Sequence, residues 1–143
     1  MNNDTISLLD QCCLGSRMAI DSIDQLLEHC RNSELSSLLS DYKSEHEHIR
    51  DNTRDRLLEA NEKASKPTFA ASAMSYISSE MKMNMKDDST QIAKIMMDGC
   101  NMGIQTIGET LSKYKDADED SKQLAKKLIQ CEEEFSKKMQ KFL

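Results

Sequence analysis

The spacing of the apolar residues limits the fold more than any other feature of this chain. They recur every three or four positions through long stretches. The clearest runs Ile6, Leu9, Cys13, Ser16, Ile20, Ile23, Leu27 and Cys30. This is the a/d repeat of a helix that buries one stripe against a neighbouring helix. Among 143 residues there are one proline, four glycines and no tryptophan, and few β-branched residues stand in succession. Leu, Met, Lys, Glu, Gln and Ala dominate instead, so the expectation is an all-α domain. The length suits a single domain that buries about two-thirds of its unfolded surface.

Four long helices follow from the pattern. The first is expected over about Thr5 to Arg31, with Asp4 as N-cap, and the second over Glu34 to Lys63, with Ser33 as cap. A third is expected over Thr90 to Tyr114. The fourth spans Asp118 to Phe142, with Asp116 or Asp118 as its cap. Asn32-Ser33 and Lys115 to Asp118 are short connections, and short connections fold helices back antiparallel. Between the two hairpins lies a long crossover, Ala64 to Ser89. Ser65-Lys66-Pro67 must end the second helix, because the residue before proline is pushed out of the α region. Phe69 to Lys86 reads as a further helix, and Asp88 with Gln91 as a capping box that restarts the chain. One continuous helix from Phe69 to Tyr114 is the competing reading.

Net charge is −6, with lysines scattered among acids. Nucleic acid and anionic membrane surfaces both require a concentrated basic face, so neither is an expected partner. No apolar run approaches the roughly 20 residues of a membrane span. Met1-Asn2-Asn3-Asp4 lacks the basic and apolar blocks of a signal peptide. The five cysteines match no zinc spacing and fall within expected helices, which reads as buried reduced thiols and a cytoplasmic protein.

Two antiparallel hairpins joined by a long crossover resemble the ferritin-like four-helix bundle. In that topology the second and third helices run parallel and the first lies antiparallel to the third. The resemblance sets Gly15, Ser16 and Ala19 opposite Gly99 and Gly103, a close helix contact. The phrase Met97-Asp-Gly-Cys-Asn-Met-Gly-Ile104, with Lys115-Asp-Ala-Asp-Glu119 after it, is also similar to small ferritin-like proteins of anaerobic Gram-positive bacteria. That likeness implies a fold and carries no activity.

A di-iron bundle takes a glutamate from each of two helices and Glu-x-x-His from each of the other two. Glu45 and His48 form one such motif, one turn apart on the second helix. Glu132, Glu133 and Glu134 are followed three residues later by Phe135, Ser136 and Lys137, so the fourth helix supplies none. The first helix is aliphatic at that level. The iron site the resemblance implies is therefore degenerate. A softer alternative is Cu(I) at a methionine and cysteine cluster, centred on Met102 and Cys131 and joined by His46 or His48. No phosphate loop, nucleophile elbow or inward pair of carboxylates supports other catalysis. The expected function is a non-catalytic structural or protein-binding module, with an unidentified protein or a second copy of the chain as partner. The methionine-rich crossover (Met74, Met81, Met83, Met85) is the expected interface, because methionine is enriched at interface cores. The alternative is a metal-binding protein, with iron at Glu45/His48 or copper at the sulfur cluster.

Overall fold

The computed structural model describes residues 1–66 and 88–143. Among these, four helices pack against one another: α1 (Asn3–His29), α2 (Ser33–Glu59), α3 (Asp88–Lys113) and α4 (Glu119–Met139). A single 3-10 turn, Gln140–Phe142, follows α4. The expected helix over Phe69 to Lys86 lies outside the described residues, as do Met74, Met81, Met83 and Met85.

The helix ends are set by side-chain caps. Asn2, not Asp4, caps α1, its Oδ1 accepting from the Thr5 amide at 2.8 Å. Asn32 caps α2 in the same way through Leu35, one residue before the expected Ser33. Asp118 caps α4 through Ser121, as expected. Asn and Asp share the short oxygen-bearing side chain that satisfies a first-turn amide, so residues one or two apart compete for this role. α3 begins at Asp88, which is its first helical residue and not the cap before it. α2 stops at Glu59, four residues short of the expected Lys63. Asn61 sits at φ 60° and ends the helix. The Glu62 amide reaches the Leu57 carbonyl and the Asn61 amide reaches that of Leu58, which is the Schellman pattern.

Contacts between helix ends fix the directions. At one end of the bundle the α1 N-terminus meets the α3–α4 turn: Thr5 Oγ1 accepts from the Asp118 amide and Asp4 from that of Asp116. Arg56, near the end of α2, donates there to Ser121 and pairs with Asp118 at 3.0 Å. At the opposite end Thr90 of α3 donates to the Phe142 carbonyl, and Lys141 pairs with Glu34 of α2. Hence α2 and α3 start at the same end and run parallel, while α1 is antiparallel to both. The end of α2 and the start of α3 therefore lie at opposite ends of the bundle. The first residues after α2 cross α1, where Asp10 accepts from Ser65 and Arg17 donates to the Ser65 carbonyl.

The core falls into three apolar bodies. Toward the α1–α2 turn, Ile23, Leu26, Leu35, Leu39, Ile92, Met96, Phe135 and Met139 pack together. Toward the other end, Leu8, Cys12, Ile49, Ile107, Ala125 and Leu128 form the second body, and Leu9, Cys13 and Leu57 form a small third one between α1 and α2. Each fully buried aliphatic side chain contributes about 1.5–3 kcal/mol relative to exposure. Between the first and second bodies the sequence places Ser16, His46, Gly103 and Glu132, one from each helix. Two are small and two are long and polar.

The expected helix contact at glycine is only partly present. A methyl group at Gly15 would meet Ile107 Cδ1 at 3.9 Å, an ordinary contact. Gly99 is exposed, with nothing near it, because the inward line of α3 continues from Met96 through Cys100, Gly103 and Ile107. Gly103 faces Glu132 of α4, whose carboxyl group lies 3.5 Å from the place of a Cβ.

Candidate functional site

The inward residues of α2 step Leu35, Leu39, Tyr42, His46, Ile49, Thr53 and Leu57, all buried. Those of α4 step Ala125, Leu128, Glu132, Phe135 and Met139. Both follow the 4-3 rhythm of a coiled-coil seam, and the rhythm carries one imidazole and one carboxyl group into the core. His46 is 0 % exposed and Glu132 is 5 % exposed.

His46 Nδ1 lies 2.8 Å from the Tyr42 carbonyl, one turn back on its own helix. A carbonyl only accepts, so Nδ1 carries a proton. His46 Nε2 lies 2.5 Å from Glu132 Oε1, and this contact holds one further proton between base and carboxylate. Glu132 Oε2 accepts from the Tyr42 hydroxyl. With that proton spent on Glu132, the thiol of Cys100, 3.6 Å from the same hydroxyl oxygen, is the donor to it. The Cys100 thiol donates to Tyr42, the Tyr42 hydroxyl donates to Glu132, Glu132 and His46 share a proton, and His46 Nδ1 donates to the Tyr42 carbonyl. Phe135 stacks on the Tyr42 ring at 4.0 Å and seals one side.

Burial, followed by the nearby Glu132 carboxylate, raises the Tyr42 hydroxyl well above the usual tyrosine range. The same two causes raise the Cys100 thiol. Cys131, next to Glu132 in sequence, donates to Glu45 Oε2 at 2.7 Å and is likewise raised, by burial first and then by Glu45. These groups are neutral donors at neutral pH, not nucleophiles.

The sequence-derived candidates come together only in part. His48 is exposed, and Glu45 stands at the rim, turned toward Cys131. Met102 is 65 % exposed on the outer side of α3, whereas Cys131 is buried. Neither the Glu45/His48 pair nor the Met102/Cys131 pair therefore converges on a common point. For the first pair position explains this: the inward arc of α2 passes through His46, which leaves Glu45 at the rim and His48 in solvent. Among the described residues no three His, Cys, Asp or Glu side chains are placed to hold a metal ion.

Sequence reasoning passed over Glu132 as an inward residue and named His46 only as an alternative to His48 beside the sulfur cluster, because both are ordinarily surface types. A strict 4-3 count through each helix would have found them. Tyr42, His46, Cys100 and Glu132 line neither of two open surface grooves. One of these runs beside Asn52, Arg56, Lys126 and Lys127, the other beside Gln105, Gly108 and Glu109. No helix among the described residues is long and apolar enough to cross a membrane. Compared with protein-family models, curated proteins and solved structures, the chain shows no match.

Proposed function

We propose that this chain is a ferritin-like bundle serving as a non-catalytic structural or protein-binding module, with a hydrogen-bonded polar layer where a metal-binding relative would hold its ions. The parallel course of α2 and α3 supports the ferritin-like reading. One observation carries the functional part. Both ring nitrogens of His46 and both carboxyl oxygens of Glu132 have partners inside the bundle. A metal or substrate would have to break that set of bonds, and each unsatisfied buried group left behind would cost about 1–3 kcal/mol. The five free cysteines, four of them buried, support a reducing compartment, the cytoplasm.

Metal content tests this. Protein purified without chelator and then exposed separately to Fe(II) and Cu(I) should retain no stoichiometric metal after desalting. About one or two metal ions per chain, lost on His46→Leu or Glu132→Ala, would replace the module with a metal protein built on this layer. Copper lost with Cys131→Ser instead would favour the sulfur-rich alternative.

A further inference from the structure

The outer side of α3 differs from those of α2 and α4. The latter are dense with Lys, Arg, Asp and Glu, as solvated helix faces usually are. In α3 the ten residues from Gly99 to Gly108 include no charge, in a chain that is 31 % charged. Gly99, Asn101, Met102, Gln105 and Thr106 of this span are exposed. At 65 % Met102 is the most exposed large apolar side chain of the described residues. Depletion of charge with methionine at the centre is the composition of an interface core, not of a solvated surface. Charges return only at the two margins, Lys94 and Asp98 before the span and Glu109 and Lys113 after it.

From this face we infer that α3 is a docking surface for a second copy of the chain, the two α3 helices lying antiparallel about a twofold axis. The inference rests on the module reading above and names its partner. An isologous contact requires a self-complementary patch, and the margins supply one. With Met102 beside Asn101 of the second copy at the axis, Lys94 and Glu109 lie equally far from it on opposite sides. Lys94 of each copy then faces Glu109 of the other. Gly99, which has nothing within 4 Å of a Cβ position, leaves room for the approach. Most of the affinity comes from Met102 and the uncharged span, and the ion pairs set direction and register.

Sedimentation velocity over a wide concentration range tests the proposal. The mass is expected to rise with concentration from the 16.3 kDa chain to twice that value. Met102→Lys should raise the dimer dissociation constant by about tenfold or more. Lys94→Glu and Glu109→Lys should each weaken the dimer, and the two together should restore it. These positions are four turns apart on one helix, so restoration has to come from contact between copies. Circular dichroism confirms that each variant is folded, as exposed positions on a packed helix allow. A single monomer mass up to the highest concentration overturns the proposal. So does a dimer indifferent to Met102→Lys, or a double charge reversal that restores nothing. Monomeric protein whose α3 amide signals shift only when another protein is added would assign the face to a different partner. Metal content separates this failure from that of the module reading. A metal-free monomer leaves the module without this partner, whereas a metal-loaded dimer leaves the partner without the module.

Discussion

At the scale of single residues, the chemistry concentrates on His46 and Glu132, and their value is mutual. Removing one leaves the other buried with a polar atom unpaired, which for an ionised or strongly hydrogen-bonded group costs about 3–5 kcal/mol. Replacing both with apolar groups of similar shape removes the orphan as well. His46→Leu and Glu132→Leu are each expected to destabilise the bundle by about that amount in urea unfolding, and the double variant by clearly less than the sum. The Tyr42 hydroxyl bonded to Glu132 would remain to be satisfied, so adding Tyr42→Phe should recover a further part. Strict additivity of the two single variants would mean that the layer is two independent contacts and not a unit.

At the scale of elements, all four helices could be read from apolar spacing, and their turns from Asn32 and from Lys115 to Asp118. What escaped was the facing of particular positions. Gly99 was expected inward beside Gly103 and is exposed, because the inward line of α3 runs through Met96, Cys100 and Gly103. His46 and Glu132 escaped for the opposite reason: a periodicity read from apolar residues skips a polar residue that occupies a core position. Helix ends were legible to within a few residues, and the largest error, the end of α2, has a local cause. Asn61 takes a left-handed conformation at φ 60° and closes the helix where charged helix formers would otherwise continue it. Asn tolerates this region better than other side chains, and glycine tolerates it best. Asn61→Gly should therefore raise stability by a few tenths of a kcal/mol and Asn61→Ala should lower it by about 1 kcal/mol. Urea midpoints measured side by side check both, and a gain on Asn61→Ala would show that the helix ends by another means.

At the scale of the whole molecule, the buried weak acids make stability depend on alkaline pH. Burial, with Cys13 beside it, pushes the Cys12 thiol from 9.0 up to about 12. Burial and neighbouring carboxylates also raise Cys100, Cys131 and Tyr42. Each raised group keeps its proton in the folded state while the unfolded chain has already released it. The unfolded state then binds fewer protons, and stability falls as pH rises. The contribution is whole below the unfolded value near 9.0 and is lost on the way to the folded one, which for Cys12 is about 12. Above pH 9 each such thiol costs about 1.4 kcal/mol per pH unit. Three of them together cost about 4 kcal/mol per unit, against a total stability of about 5–15 kcal/mol for a domain. Helical circular dichroism is thus expected to persist to pH 9 and to collapse cooperatively within about two to three units above it. Cys12→Ala should move that collapse to higher pH relative to its own neutral stability, because one proton fewer is released on unfolding. Urea midpoints followed from pH 7 upward decide the matter. A midpoint unchanged to about pH 11 would mean that the thiols titrate in the folded bundle as they do in the unfolded chain, and that the core around them is open to water.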